Sequence, residues 1–279
     1  MFNLYQPRCQ GVDQGELILS ISFDRVASIY DATRGLPESV SEQVTECILR
    51  IVSATPDTKF FEPGIGTGRI AVPLIQKGYS YTGVDISEKM MDELRCKVEG
   101  LPNNLTLLKA NATSLPVEDN CFDVALTVHL LHLVPAWRAV LAEIRRVLKP
   151  DGVFLHCHSS ASFSGYDIFE KQWKTILQQH EFPLARYGAT EAEVMEVLTE
   201  QGGMLEKVTA AEWNSSRTVG ELLYTYQGRF FSSSWQIPDN IFSQAIQELK
   251  DWALRTYESQ ETVIYSNSRF ELTVARHWS

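Results

Sequence analysis

The stretch KFFEPGIGTG, residues 59–68, decides the fold of this chain. Its first three residues, Lys59-Phe60-Phe61, predict a short buried strand that stops at Glu62-Pro63-Gly64. Apolar residues at helical spacing follow from Thr67, and Gly78 predicts the end of that helix. A strand, a glycine-rich turn and a helix in direct succession are typical of the first unit of a parallel α/β sheet.

The same rhythm continues to residue 158. Further strands are predicted at Tyr79–Val84, Leu105–Leu108, Phe122–Val128 and Gly152–Leu155, with helices at Ser87–Val98 and Ala136–Leu148. Strands separated by helices imply a parallel sheet with helices on both faces. We therefore predict an α/β fold with a doubly wound, mostly parallel seven-stranded sheet. Its last two strands, at about 204–213 and 269–277, form an antiparallel edge.

The flanking segments differ from this core, which spans residues 56–160. We expect residues 1–55 to be an N-terminal helical segment, with two helices within residues 22–55 that are broken at Gly35-Leu36-Pro37. Residues 161–279 complete the sheet and carry helical insertions at about 160–200 and 218–260. These insertions are rich in aromatic residues, so we expect them to form a lid over the carboxyl edge of the sheet and to line an apolar substrate pocket.

The glycine-rich turn carries the strongest chemical signal. Gly64 and Gly66 permit a tight turn and close approach of a ligand to the backbone, while Gly68 allows the helix to pack on the strand. The third glycine arrives one residue earlier than in the dinucleotide fingerprint GxGxxG, because position 69 is Arg69. Glu62 precedes the first glycine by two residues, and a carboxylate there suits a ligand with an ammonium group. A purely structural turn is the alternative.

Two further segments point to a nucleoside. Asp85 ends the second strand about 20 residues after the glycines, where a carboxylate can accept hydrogen bonds from both ribose hydroxyls. We also expect its neighbour Ile86 to bind the cofactor. Asn111 can accept from an adenine amino group, and the Ala112 amide can donate to a ring nitrogen. The alternatives are a helix-start acid for Asp85 and a plain turn residue for Asn111.

With these motifs the chain resembles the class I S-adenosylmethionine-dependent methyltransferases, and most of all the ubiquinone/menaquinone-biosynthesis branch. The similar stretches are FFEPGIGTGR (60–69), YTGVDISEKMMDELR (81–95), ANATSLPVEDNCFDV (110–124) and LHLVPAWRAVLAEIRRVLKPDGVFL (131–155).

The resemblance implies a Rossmann-like methyltransferase fold, S-adenosylmethionine as cofactor and S-adenosylhomocysteine as product. It also implies that the N-terminal segment covers the cofactor, with Tyr30 and Arg34 closing over it and Arg34 pairing with the methionine carboxylate. The family often has aspartate at positions 62 and 111, where this chain has Glu62 and Asn111. The expected reaction is methylation of a small, partly apolar or aromatic metabolite on O, N or C.

Histidines cluster where the fourth and fifth strands end, facing the crevice in which doubly wound folds bind ligands. His129 is the first candidate for a proton acceptor, because it follows the strand beside the glycine turn, and a contact to the substrate is the alternative role for it. His158 is the second candidate for a proton acceptor. A metal pair at His156 and His158 lacks a third ligand at convincing spacing, so we expect no metal.

The composition narrows the class of partner. The chain has 279 residues, with 25 Lys and Arg against 35 Asp and Glu, and a formal net charge of −10. This balance disfavours nucleic acid, since phosphate contacts need a basic surplus. No apolar run is long enough to span a membrane, and the first residues lack the layout of a signal peptide. We expect a cytoplasmic enzyme with a small-molecule substrate and an undetermined oligomeric state. A protein or RNA methyltransferase, a nicotinamide-dependent dehydrogenase and a non-catalytic cofactor-binding protein are the alternatives.

Overall fold

The computed structural model describes residues 21–162 and 165–278. Its seven strands are β1 (Lys59–Pro63), β2 (Ser80–Asp85), β3 (Leu105–Lys109), β4 (Phe122–Val128), β5 (Leu148–Ser162), β6 (Met204–Thr218) and β7 (Val263–Arg276). Its helices are α1 (Ala27–Arg34), α2 (Glu38–Ile51), α3 (Ala71–Gln76), α4 (Glu88–Lys97), α5 (Trp137–Val147), α6 (Gly165–Gln179), α7 (Glu191–Glu200), α8 (Val219–Gln227) and α9 (Asp239–Tyr257).

The strands form one sheet in the order β3-β2-β1-β4-β5-β7-β6. The first five strands of this order are parallel, whereas β7 is antiparallel to both of its neighbours, β5 and β6. The predicted α/β class, the seven-stranded sheet and the antiparallel edge are therefore confirmed. Strand order reverses between β1 and β4, and in such sheets ligands bind at the carboxyl ends of the strands at this point.

Helices cover both faces of the sheet because side chains alternate along each strand. Phe60 and Phe61 are both fully buried but belong to different core layers. Helices α2, α3 and α4 pack with Phe60, and α5 and α7 pack with Phe61. Helix α7 lies within the range expected to form the lid, but its Val194 and Leu198 are buried in this second layer of the core.

A third apolar cluster lies apart from the two core layers. It joins buried residues of α6, α8 and α9, among them Trp173, Leu223 and Leu249, with Ile264 of β7. The strands β5, β6 and β7 are 15, 15 and 14 residues long, much longer than expected. Their polar far halves pair with one another from Ser159 to Ser162 and from Asn214 to Thr218. Because these far halves are polar, the alternation of apolar residues in the sequence predicts only the first part of each strand.

Several helix boundaries follow from local features of the sequence. Helix α1 ends at Arg34 and α2 begins at Glu38, so the break predicted at 35–37 is confirmed. Ser87 caps α4, because its hydroxyl accepts a hydrogen bond from the Met90 amide. Helix α3 is shorter than expected. It begins at Ala71 because the backbone of the glycine turn is left-handed as far as Gly68. Within the described part of the chain, no helix is long and apolar enough to cross a membrane.

Candidate functional site

A cleft lies at the carboxyl ends of β1, β2 and β4, where the strand order reverses. It is lined by most of the residues singled out in the sequence, namely Tyr30, Glu62, Gly64, Gly66, Asp85, Ile86, Asn111, Ala112 and His129. Three other candidates, Arg34, Gly68 and His158, do not line it. Gly68 instead serves packing, since a Cβ there would come within 2.7 Å of a Leu94 methyl group.

The glycine turn is held open by hydrogen bonds to the next strand. The amides of Gly64 and Ile65 donate to the Val84 carbonyl at 2.7 and 3.1 Å. The Gly66 amide donates to the Asp85 carboxylate at 2.8 Å. Gly66 has a φ of +55°, a conformation that a side chain with a branched Cβ adopts only under strain. The turn therefore presents a backbone edge to the cleft.

Asp85 is placed by two backbone donors, one on each side-chain oxygen. Oδ2 accepts from Gly66 and Oδ1 accepts from the Ser87 amide, both at 2.8 Å. Burial raises the pKa of Asp85, and these hydrogen bonds oppose that shift. A carboxylate oxygen has two acceptor directions, so each oxygen can still accept one hydroxyl.

Glu62 is a buried carboxyl group at the floor of the cleft, with 2% of its surface exposed. The Tyr81 hydroxyl donates to its Oε2 at 2.6 Å. Desolvation, assisted by the nearby charge of Asp85, raises the pKa of Glu62 to about 8. In the described residues no Lys, Arg or His forms an ion pair with it. The carboxyl group is thus poised to take up a cation from a ligand.

The adenine candidates, Asn111 and Ala112, also line the cleft. Ala112 is buried, whereas Asn111 is exposed. The Asn111 Oδ1 accepts from the Thr113 amide at 3.0 Å, so the residue also forms the turn that the sequence left as the alternative. One acceptor direction on that oxygen is still open to a ligand.

Side-chain contacts of Asp24 and Asp31 hold the N-terminal segment across the glycine turn. The Thr67 hydroxyl donates to Asp31 at 2.7 Å, and Lys97 forms an ion pair with the same carboxylate. The Ser87 hydroxyl donates to Asp24. Phe23 and Tyr30 consequently form part of the wall of the cleft.

Arg34 lies elsewhere than predicted. It contacts a second cavity, not the cleft, and the cation that lines the cleft is Arg69. In the sequence pattern Arg69 is distinguished only as the residue that stands where the dinucleotide fingerprint has its third glycine. Its position directly after Gly68 was the available signal, because the turn brings that residue to the mouth of the cleft. The Arg69 guanidinium lies over the Tyr30 ring at 5.8 Å.

The second cavity is larger, at about 850 Å³, and adjoins the cleft. Five residues line both spaces: Phe23, Tyr30, Arg69, His129 and Leu133. The remaining walls come from α1 and the turn after it, from α6, β6 and α8, and from the segments 184–189 and 231–233, with His132, Ser159 and Ser268. A volume of this size accommodates a small organic molecule.

His129 stands at the junction of the two spaces, with a left-handed backbone at φ +51°. Its Nε2 accepts from the Ser159 amide at 2.9 Å, so Nδ1 carries the hydrogen of the neutral ring. Burial lowers the pKa of His129 well below its usual range, and the charge of Arg69 acts in the same direction. The ring reaches the site as predicted, but the nitrogen that would act as a base is already engaged.

His158 does not line either space. Its Nε2 lies 3.2 Å from Glu191 and 3.4 Å from Glu271, because the β5 strand directs it toward α7 and β7. His158 thus lies away from the space that an acceptor would occupy, and its role as the second proton acceptor stays a prediction. The Nδ1 atom of His156 and the Thr127 hydroxyl share a hydrogen bond of 3.0 Å. The described residues contain no group of three or more His, Cys, Asp or Glu that could hold a metal ion.

Comparison with known proteins identifies the family. A model described as a methyltransferase domain matches residues 61–156. A demethylmenaquinone methyltransferase from Symbiobacterium thermophilum is 31% identical over 183 residues, which are 62% of this chain and 71% of that protein. The chain belongs to the class I S-adenosylmethionine-dependent methyltransferases.

Two further similarities agree with this membership. A demethylmenaquinone methyltransferase from Clavibacter sepedonicus is 30% identical over 159 residues, 55% of this chain. The chain spans 64% of the length of that relative. The crystal structure of a Bacillus halodurans protein assigned as a methyltransferase has a TM-score of 0.57 at 16% identity, covering 87% of this chain and 100% of that one. The resemblance to the quinone-biosynthesis branch is confirmed, and the fold is the Rossmann-like fold of methyltransferases.

The cofactor of this methyltransferase family is S-adenosylmethionine, and the residues of the cleft fit it. Glu62 offers a buried carboxyl group for its ammonium group. Arg69, which has no ion pair within residues 21–162 and 165–278, can hold its carboxylate. Asp85 offers two placed acceptors for the ribose. Membership of the methyltransferase family excludes the dehydrogenase alternative.

The Asp85 assignment predicts the behaviour of one variant. Asp85→Ala removes both ribose acceptors and leaves hydroxyls unpaired in a partly buried site, so the methyltransferase should lose about 1–3 kcal/mol of S-adenosylhomocysteine binding, about 5- to 150-fold. Calorimetric titration measures this loss. Asp123→Ala, at a partly exposed carboxylate on β4 outside the cleft, is the control. Unchanged affinity in Asp85→Ala would rule out the ribose contact.

Proposed function

We propose that this protein transfers a methyl group from S-adenosylmethionine to a small, partly apolar or aromatic metabolite. The observation that supports the proposal is the second cavity, which meets the cofactor cleft at Tyr30, Arg69 and His129. Bound S-adenosylmethionine supplies an electrophilic methyl group on its sulfonium. The residues of the chain have to bind an acceptor beside it, orient it and exclude water, and alignment alone can contribute about 7–11 kcal/mol.

The walls of the cavity suit an aromatic acceptor. Trp173, Trp213, Tyr187, Tyr226 and Phe231 line it. Flat rings of this kind favour stacked or edge-on contact with another ring. Helices α6, α8 and α9, which share the third apolar cluster, are proposed to form the lid that closes over the acceptor.

His129 is proposed as a contact to the acceptor and not as its base. A neutral imidazole with Nε2 occupied can donate a hydrogen bond from Nδ1 but has no free lone pair for a proton. Direct methylation of an acceptor that is already deprotonated, or of a carbon nucleophile, needs no base from the protein.

Methyl transfer from labelled S-adenosylmethionine to a panel of small aromatic metabolites tests the proposal. Quinone-type acceptors belong in the panel, because the two relatives are demethylmenaquinone methyltransferases. Label should appear in at least one small molecule. Cofactor binding with no acceptor in the panel, but with label in a protein or RNA fraction, would favour a macromolecular substrate. Binding with no transfer to any fraction would favour a cofactor-binding protein without catalysis.

The role of His129 predicts a particular pH profile. Asparagine is the suitable replacement, since it tolerates the left-handed backbone of this position. His129→Asn should raise KM and leave the shape of the kcat profile unchanged between pH 7 and 9, because the pKa of the native ring lies well below its usual range. A base would instead give a fall of at least about 10²-fold in kcat and loss of the acidic limb. That outcome would restore His129 as the proton acceptor.

A further inference from the structure

The second cavity is strongly basic although the whole chain is acidic. Among the described residues, its walls carry five cations, Arg34, Arg69, Lys174, Arg186 and Arg217, and one carboxylate, that of Glu170. An arrangement that places like charges around one space is costly unless a ligand of opposite charge compensates it.

Two of these cations are already compensated by neighbouring carboxylates. Lys174 pairs with Glu170 at 2.5 Å, one helical turn away on α6. Arg186 pairs with Glu193 at 2.5 Å through two side-chain contacts. The arginines that remain on the walls are Arg34, Arg69 and Arg217, and neither Arg34 nor Arg69 forms an ion pair with a described carboxylate.

Arg34 is the central member of these three. Its Nη2 donates to the Phe230 carbonyl, and its guanidinium lies 5.0 Å from the centre of the Tyr30 ring and 5.3 Å from that of Phe231. Rings on its faces fix the plane of a guanidinium and leave its edge for a planar anion. Within the described ranges, 21–162 and 165–278, no carboxylate forms an ion pair with it.

The neighbours of Arg34 add to the need for an anion. Burial lowers the pKa of Arg34, and the positive charges of Arg69 and Arg217 lower it further. Arg217 donates to the carbonyl of Thr33, the residue beside Arg34, so the two guanidinium groups share one wall.

We propose that the methyl acceptor carries an oxyanion, a carboxylate or a phosphate, which Arg34 binds with Arg217 beside it. This inference rests on the proposed function, since it describes the acceptor of that reaction. Arg69 lines both spaces and is left for the methionine carboxylate, whereas Arg34 lines the acceptor cavity alone. The substrate class is then an anionic aromatic metabolite, anchored at its charged end and surrounded by the aromatic wall.

The test uses the full chain saturated with S-adenosylhomocysteine, so that the cofactor carboxylate already occupies its own site. Benzoate, phenyl phosphate and benzyl alcohol, which share a ring and differ in charge, are titrated by ligand-observed NMR. At least one anionic probe should bind about 10-fold or more tighter than benzyl alcohol, because charge-assisted hydrogen bonds are the stronger ones. Preference between benzoate and phenyl phosphate distinguishes a carboxylate acceptor from a phosphate.

Variants assign this preference to a residue. Arg34→Gln should remove the preference for the anion and keep S-adenosylhomocysteine affinity within about twofold, while Arg34→Lys should retain part of it. Arg138→Gln is the matched control, because Arg138 is an exposed arginine on α5 that stacks on Trp137, and it should behave as wild type.

Three outcomes would overturn the inference. These are equal affinity of the wild type for all three probes, an unaltered preference in Arg34→Gln, and a large loss of S-adenosylhomocysteine affinity in Arg34→Gln, which would put Arg34 on the cofactor. Any of them leaves the proposed methyl transfer standing. Failure of the wild type to bind S-adenosylhomocysteine would instead remove both proposals.

Discussion

Gly66→Val is expected to abolish binding of S-adenosylhomocysteine, a loss of more than about 100-fold, in a protein that still folds. Valine at φ +55° is strained because its branched Cβ clashes with its own backbone in the left-handed region. The added Cβ would lie 3.2 Å from the Met90 terminal methyl, and the rest of the side chain would occupy the edge of the turn that faces the cleft. A shift of the turn would also break the bond from Gly66 to Asp85.

A matched variant separates strain from loss of the site. Gly78 also has a positive φ, +92°, and a Cβ there would meet nothing within 4 Å. Gly78→Val should therefore lower the melting temperature and leave cofactor affinity intact. Circular dichroism and calorimetry of both variants give the comparison. Normal binding by Gly66→Val would mean that the glycine turn is not the cofactor site.

The cofactor half of the site could be predicted from the sequence because its signals are local. The glycine turn, Asp85 and the Ser87 cap each follow within a few residues of a strand end, and strand ends follow from short apolar runs. Parallel strands bring those ends to one edge of the sheet, so their juxtaposition follows from the fold class.

The acceptor half could not be predicted in this way. Its walls come from segments as far apart as α1 and β6, and only the pairing of the long polar ends of β5, β6 and β7 brings α6, α8 and α9 to one side. Arg34 lies in the segment predicted to cover the cofactor and Arg69 follows the glycine turn, so the sequence allows either arginine to reach the cofactor. Which one enters the cleft depends on the direction of α1 across the turn, which the contacts of Asp31 with Thr67 and Lys97 determine.

Glu62→Gln is expected to have two opposite effects, on affinity and on stability. It removes the buried carboxyl group that would take up the ammonium group of the ligand, and a buried charge left without its partner costs about 3–5 kcal/mol. S-adenosylhomocysteine affinity should therefore fall by more than about 100-fold. Glu62→Asp keeps the carboxylate and is the control. It should retain more of the affinity than Glu62→Gln does, since its side chain can still carry the negative charge that pairs with an ammonium group.

The stability of the unliganded protein should rise in the same variant. The pKa of Glu62 is about 8 in the folded protein and 4.5 in the unfolded chain. Between these values the native state holds a proton that the unfolded state has released, so the free energy of unfolding falls as pH rises through this window. Glutamine does not titrate, and Glu62→Gln should melt at a higher temperature than wild type at pH 8 but not at pH 4.5.

Cofactor binding should reverse the protonation of Glu62. An ammonium group beside the carboxyl favours its charged form, so binding at pH 7 should release up to one proton from the wild type and none from Glu62→Gln. Titrations in two buffers with different enthalpies of ionisation measure that proton. The affinity of the wild type should rise from pH 6 to 8, by no more than about 10-fold per pH unit. Equal affinity and equal proton release in the two proteins would show that the ammonium group does not lie against Glu62.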